Sequence, residues 1–105
     1  MMAKTRCSWD WIGEWPVFVY TTWIKQRLDK NVFNIKIVLG EKGDQNKGYT
    51  GPHAPAYFEY EDYRVCSKHE AFLGAMDVTA RWLKYEGKIT EKEYSKYREH
   101  RWIYI

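Results

Sequence analysis

Two helix N-cap signatures in the second half of the chain constrain the fold more than any other feature. The first is SKHE at 67–70, where the Ser67 hydroxyl can accept a hydrogen bond from the third helical N–H while Glu70 reaches back to the cap. Behind it, a buried stripe is indicated by residues at steps of three and four: Phe72, Met76, Thr79 or Ala80, and Leu83. Gly87 supplies the left-handed residue that ends many helices. The pattern predicts a helix over about 68–86.

A second capping box, TEKE at 90–93, follows almost at once. Ile89 and Tyr94 have the spacing of a hydrophobic staple around it. We therefore predict a second helix over about 91–101, joined to the first in a tight αα-hairpin. The remaining residues, Trp102-Ile103-Tyr104-Ile105, form an apolar tail that we expect to dock on the body of the protein or on a partner.

The first half has the character of β-structure. After Pro16, the stretch 17–24 is dense in β-branched and aromatic residues, and 31–39 alternates between two faces. One face of that strand would carry Phe33, Ile35, Ile37 and Leu39, and the other Val32, Asn34, Lys36 and Val38. The residues Asp29-Lys30-Asn31 between the two strands are of types that favour a turn. Strand character returns over 56–65.

These elements predict an α+β fold: a three-stranded antiparallel sheet (about 16–28, 31–39 and 56–65) followed by a C-terminal αα-hairpin (about 68–86 and 91–101). One alternative stays open, because Ile24, Arg27 and Leu28 also have helical spacing and would allow a helix over 17–29. We expect residues 1–105 to form a single domain with a long flexible loop over 40–55.

The composition supports a folded domain whose core is built from rings. The chain has 105 residues with six Trp, nine Tyr and four Phe, and a net charge of only +3. Aromatic rings bury large areas and offset the small number of aliphatic side chains. We find no apolar run long enough to span a membrane and no signal-peptide pattern, so we predict a cytoplasmic protein without membrane contact. Cys7 and Cys66 are expected to be free thiols, although one bridge between them stays open.

The 40–55 loop contains four glycines and few apolar residues, and loops of this length in compact domains are usually functional or disordered. Lys42, Lys47 and His53 could add charge to an anion site, with Tyr49 as a ring for contact. The loop fits neither the P-loop pattern nor the dinucleotide fingerprint. A mobile hairpin tip is the simpler interpretation.

The tryptophans near the N-terminus are the other candidate binding feature. Trp9, Trp11 and Trp15 have the same parity and would share a face in an extended chain. Such rings serve as core, as anchors of protein interfaces or as platforms for bases. Trp102 and Tyr104 in the apolar tail are further aromatic residues that could bind a partner.

We find no supported catalytic or metal constellation. Cys66-x-x-His69 is one close ligand pair, with His53, His100 and Cys7 as distant completing ligands, whereas structural zinc sites usually show two such pairs. Glu59, Glu61 and Asp62 lie together, but Glu59 and Glu61 are expected on a solvated strand face near Lys36. No cofactor is predicted.

The leading hypothesis is a small non-enzymatic protein that masks or sequesters a host macromolecule, in the manner of virus-encoded inhibitors. Its partner-binding residues would be Trp9, Trp11, Trp15, Lys42, Lys47, Tyr49, His53, Trp102 and Tyr104. A host protein is the expected partner, and homo-oligomerisation stays open. The alternative is a nucleic-acid or nucleotide binder that uses the basic first half and the 40–55 loop. A small hydrolase or transferase is the third hypothesis.

Overall fold

The structure is a computed structural model that describes residues 4–44, 56–65 and 67–103. Its elements are β1 (Thr5–Ile12), β2 (Trp15–Arg27), β3 (Lys30–Leu39), β4 (Ala56–Val65), α1 (Lys68–Tyr85) and α2 (Glu91–Ile103). The four strands form one antiparallel sheet in the order β1-β2-β3-β4. The predicted α+β class, with an antiparallel sheet and two C-terminal helices, is confirmed.

The predicted number of strands was wrong, because the sheet has four strands rather than three. The additional strand is β1, which pairs with β2 from Thr5↔Thr22 to Ile12↔Trp15. Its residues do alternate, with Cys7, Trp9 and Trp11 separated by polar side chains. The three-strand prediction missed β1 because this alternation does not face the main core, so it lacks the aliphatic residues that mark β3.

The segment that also had helical spacing is a strand. β2 runs without a break from Trp15 to Arg27, and its pairing with β3 shifts register between Trp23 and Lys25. The β2–β3 turn lies at Leu28 and Asp29, slightly ahead of the predicted position. The β1–β2 turn lies at Gly13 and Glu14. Both hairpins therefore close through two-residue turns.

One face of the sheet packs against the helices and forms the core. Alternate residues of the inner strands meet the buried stripe of α1, because side chains in a strand point to opposite faces in turn. The predicted inward set of β3 is confirmed. The core contains Ile12, Val17, Val19, Phe33, Ile35, Ile37, Leu39, Ala71, Ala75, Met76, Ala80, Leu83, Ile89 and Tyr94. Phe72, expected in the stripe, is only half-buried and packs at its margin.

The predicted helix caps are present. Glu70 N donates to Ser67 Oγ at 3.1 Å, and the second box is reciprocal, with Thr90 N donating to Glu93 Oε1 at 3.0 Å and Glu93 N to Thr90 Oγ1 at 3.1 Å. Gly87, at φ +73°, ends α1 in a Schellman arrangement. Its N–H donates to Lys84 O, and Lys88 N donates to Leu83 O.

The second helix ends later than predicted. α2 extends to Ile103, so Trp102 lies within it rather than in a separate tail. Among the helices of the described residues, none combines the length and apolar character required to cross a membrane.

Candidate functional site: the open face of the sheet

The face of the sheet opposite the helices, called the open face below, carries the alternate residues that point away from the core. Four of them form a row across the sheet, one from each strand, and we call it the apolar row. The register pairs Trp9 with Phe18, Phe18 with Val38, and Val38 with Tyr57. Adjacent strands lie about 4.8 Å apart, so the row spans about 14 Å.

Ring contacts order one end of the apolar row. The Trp9 and Phe18 rings stack with centroids 5.9 Å apart and an interplanar angle of 28°. Trp11 packs edge-on against Trp9 at 5.8 Å and 73°. Val38 in the middle is 3% exposed, whereas Trp9 and Tyr57 at the two ends remain 44% and 37% exposed. The row thus has a packed centre and two rings that still offer surface for contact.

The open face becomes polar away from the apolar row. The next row runs Cys7, Tyr20, Lys36 and Glu59, and the one beyond it Thr5, Thr22, Asn34 and Glu61. Thr5 and Thr22 share a hydrogen bond of 2.7 Å between their hydroxyls. A partner that covers the apolar row would therefore meet a polar margin on one side.

Hydrogen bonds hold the Glu59 carboxylate beside the apolar row. Tyr57 Oη donates to Glu59 Oε2 at 2.9 Å, and Asn34 Nδ2 donates to Glu59 Oε1 at 3.2 Å. The Tyr57 bond is the main cause of a lowered pKa for Glu59, and Asn34 and the charge of Lys36 add to it. The same bond raises the pKa of Tyr57. Glu59 therefore stays ionised as an acceptor at neutral pH.

A second tyrosine–carboxylate pair lies further along β4. Tyr63 Oη donates to Glu61 Oε2 at 2.6 Å, and this bond raises the pKa of Tyr63. On the other side of the face, burial raises the pKa of Tyr20, and its neighbour Cys7 raises it further. Cys7 is a free, exposed thiol. The β4 side of the open face thus presents two ordered carboxylates.

The structure separates the three N-terminal tryptophans, which had been expected to share a face. Trp9 and Trp11 lie on the open face, but the chain reverses at Gly13 and Glu14, so Trp15 lies on β2 and packs against the core. Trp15 Nε1 donates to Lys88 O at 3.2 Å. The Lys88 ammonium lies 5.2 Å from the Trp15 ring centroid. Trp15 joins the sheet to the α1–α2 turn rather than extending the apolar row.

Only part of the predicted 40–55 loop is described. Lys42 is exposed and lies 3.4 Å from the Glu14 carboxylate. Gly43 N donates to Glu14 O at 2.7 Å, which ties this start of the loop to the β1–β2 turn. Lys47, Tyr49, His53 and Tyr104 lie outside the described residues, as does the side chain of Trp102.

The cations of the basic first half, which the nucleic-acid alternative would use, lie in separate places. Lys25, Arg27 and Lys30 are at the β2–β3 end of the sheet, whereas Lys42 follows the other end of β3. β3 separates the two groups by about 30 Å at 3.3 Å per residue. Lys36 lies between them on the open face, opposite Glu59. These five cations do not form one continuous basic surface.

The described residues contain no group of three or more His, Cys, Asp and Glu side chains placed to hold a metal ion. His69 is exposed in the first turn of α1. Cys66 and His53 lie outside the described residues, and the side chain of His100 is also not described.

A cavity of about 360 Å³ lies between the β1–β2 turn and α2. Its two carboxylates are each engaged locally: Asp10 Oδ1 accepts from Trp11 N at 2.7 Å, and Glu93 caps α2 through Thr90 N. The lining is completed by Trp11, Gly13, Lys96 and Tyr97. These bonds give both acids a structural role.

Sequence reasoning missed three members of the apolar row: Phe18, Val38 and Tyr57. The alternation along β3 did assign Val38 to the outward face. The residues that lie beside Val38 on the adjacent strands depend on strand order and register, and the pattern within one strand does not predict these. A predicted strand over 5–12 would have helped to find the apolar row, because a hairpin with the following strand places Trp9 beside β2.

Comparison of the chain with protein-family models, with curated proteins and with solved structures found no match in any of the three.

Proposed function

We propose that this chain is a small non-enzymatic binding protein that masks a protein partner by covering it with the open face of its sheet. The observation that carries the proposal is the apolar row, with Trp9 44% and Tyr57 37% exposed on a face that the helices leave uncovered. Trp and Tyr are the side chains that most often dominate binding energy at protein interfaces. The sheet presents them on a rigid element, which lowers the entropic cost of association.

The polar neighbours of the row define the partner's chemistry. Glu59 and Glu61 are held in place by tyrosine hydroxyls, and Lys36 is the one cation in the three rows described above. A complementary protein surface has an apolar centre for the two rings and Lys, Arg or backbone N–H groups opposite the carboxylates. This arrangement is the usual one of an apolar interface core with a polar rim.

A nucleic acid fits the same face less well. Its bases would stack on Trp9 or Tyr57, but its phosphates would meet the carboxylates of Glu59 and Glu61 on the β4 side. Nucleic-acid binding is therefore an outcome that the experiment must detect. Origin as a virus-encoded inhibitor of host machinery is an expectation from size and composition, and a cytoplasmic location is an expectation from the sequence pattern.

Two matched pairs of variants test the proposal. Trp9→Ala is compared with Trp23→Ala, because the two rings are 44% and 42% exposed, and Tyr57→Ala is compared with Tyr85→Ala, where Tyr85 is 87% exposed on α1. Tagged wild type and variants are used to capture partners from nuclease-treated host lysate, and the mass of each complex is measured. We expect a stoichiometric protein complex with wild type, Trp23→Ala and Tyr85→Ala, weakened at least tenfold by Trp9→Ala or Tyr57→Ala.

Equal capture by all four variants would show that the open face does not bind the partner. A complex that is lost on nuclease treatment, with affinity for DNA or RNA that falls steeply with added salt, would establish the nucleic-acid alternative instead. Self-association through the row would appear as a dimer of the purified chain that Trp9→Ala dissolves, and it would replace the masking hypothesis.

A further inference from the structure

The tip of the β2–β3 hairpin combines an unusual backbone with an unusual exposure. Leu28 has φ +55° and is the one non-glycine residue with positive φ among the described residues. Its side chain is 90% exposed. A left-handed backbone brings the Cβ of an L-residue too close to the neighbouring carbonyl, and an exposed leucine gives up its hydrophobic contribution. Leu28 therefore costs the fold stability in two ways.

The other two-residue turn provides an internal control. The β1–β2 turn also has positive φ at its first residue, +61°, and that residue is Gly13. Hairpin turns with this conformation strongly favour glycine there because it carries no Cβ. Gly13 is packed, since a Cβ would lie 2.6 Å from Glu93 Oε2, whereas the exposure of Leu28 shows an open position. Nothing in the packing around Leu28 requires a leucine.

Charged residues surround the tip. Lys25, Arg27 and Lys30 are all exposed, and Asp29 is the one acid within residues 25–30. Arg27 and Lys30 face each other across the hairpin, directly next to the turn. The turn itself thus presents one apolar side chain, Leu28, among residues of net positive charge, and Trp23 and Ile24, 42% and 40% exposed, lie further back on β2. Its electrostatic complement is a negatively charged rim.

We propose that this hairpin tip is a second binding element that inserts Leu28 into an apolar pocket of a protein whose rim carries Asp or Glu side chains. Strained backbone is retained in proteins mainly where the surrounding structure or a function requires it, and here the fold offers no packing reason. The tip lies about 30 Å along β2 from Phe18 at 3.3 Å per residue. It is therefore separate from the apolar row, and the inference goes beyond the function proposed above.

A protein pocket explains the tip better than a lipid surface does. One leucine buries few methylene groups, and even a complete myristoyl chain gives only marginal membrane binding. Trp23, 42% exposed on the adjoining part of β2, is held to the hairpin because its Nε1 donates to Asn31 Oδ1 at 3.0 Å. A shaped pocket surrounds one side chain from all directions, and residues of this kind anchor interfaces.

The first experiment requires no partner. Leu28→Gly relieves the backbone and removes the exposed side chain, so we expect the thermal midpoint of the purified protein to stay the same or rise. Leu28→Asn, another residue tolerated at positive φ, should behave similarly. A fall in the midpoint for both variants would show that Leu28 supports the fold, and the inference would be overturned.

The second experiment uses the full chain with a photoreactive diazirine analogue of leucine at position 28, irradiated in host lysate. The same analogue at position 78 is the control, because Val78 is 46% exposed on α1. We expect position 28, and not position 78, to cross-link to one protein at a peptide flanked by Asp or Glu. Unlabelled wild type should compete at least tenfold better than Leu28→Gly, and added salt should weaken the cross-link.

Cross-linking to lipid, nucleic acid or a second copy of the chain would overturn the inference, as would equal competition by Leu28→Gly. This test involves neither Trp9 nor Tyr57, so failure of the open-face proposal leaves it unaffected, and its own failure leaves the open face unaffected.

Discussion

The two faces of β3 are both apolar near its end, yet they are buried by different means. Ile37 points into the core and meets the helices, whereas Val38, the next residue, points to the open face. Both are almost completely buried. Ile37 belongs to a cluster that includes residues of α1, whereas Val38 lies in a row between Phe18 and Tyr57. One face is therefore closed by tertiary packing and the other is organised by cross-strand neighbours.

This difference separates the residues that stabilise the fold from those that we propose to bind a partner. Core burial removes apolar surface from water on all sides, so its loss leaves a cavity. A cross-strand row stabilises a sheet by smaller amounts and leaves its outer surface accessible. Mutations on the covered face should thus affect folding, and those on the open face should affect binding with little loss of stability.

The largest expected effect is on the covered face. Ile37→Ala should destabilise the protein by about 2–5 kcal/mol, since it opens a cavity below α1. Lys36→Ala, the adjacent outward residue, should change stability by no more than about 0.5 kcal/mol. Urea unfolding followed by circular dichroism measures both. Similar losses for the two variants would contradict the distinction between the faces.

The same substitution on each face makes the comparison direct. Trp15→Ala removes a ring that packs on the core and the hydrogen bond to Lys88 O, so we expect a loss of about 2–3 kcal/mol. Trp9→Ala removes a stacked but exposed ring and should cost about 1 kcal/mol. The denaturant midpoints of the two variants, compared at equal m-values, show which substitution causes the larger loss of stability. An equal or larger loss for Trp9→Ala would mean that the open face is a second core.

A double-mutant cycle examines where the β1–β2 turn meets α2. Gly13→Ala should cost about 2 kcal/mol, because it forces a left-handed alanine and its Cβ would displace Glu93. Glu93→Ala alone should cost about 1 kcal/mol through the lost cap. The combined variant should lose less than the sum, because the clash disappears with the carboxylate. Additive losses in chemical denaturation would show that the two sites are independent.

The smallest effect is a titration on the open face. Tyr57→Phe removes the main cause of the lowered pKa of Glu59, so that pKa should rise. Because the folded-state pKa of Glu59 lies below its unfolded value, its stabilising contribution is present above the unfolded pKa and is lost as pH falls through the folded one. Tyr57 has the opposite sign: its raised pKa gives a contribution that is lost as pH rises through it.

Carbon-detected NMR titration of the glutamate carboxyls measures the shift. Tyr63→Phe is the matched control, since it removes the bond to Glu61 and should leave the titration of Glu59 unchanged. An unchanged Glu59 titration in Tyr57→Phe would show that the hydrogen bond does not persist in solution.

Local patterns predicted the elements with strong periodicity. The capping boxes at Ser67 and Thr90 placed both helices within two residues of their observed ends, because the cap bonds are formed between near neighbours in sequence. Alternation in 31–39 predicted the inward residues of β3 for the same reason. β1 was missed because Cys7, Trp9 and Trp11 face away from the core and only its last residue, Ile12, joins it. The length of α2 was underestimated at its C-terminal end.

The sequence alone determined the α+β class, the helical hairpin and the two faces of β3, since these depend on period, caps and turns. Only the tertiary structure decided which aromatic rings lie next to one another. Gly13 and Glu14 reverse the chain, so Trp15 joins the core while Trp9 meets Phe18, Val38 and Tyr57 on the open face. Neighbours across strands depend on register and strand order, and those are set by contacts between residues far apart in sequence.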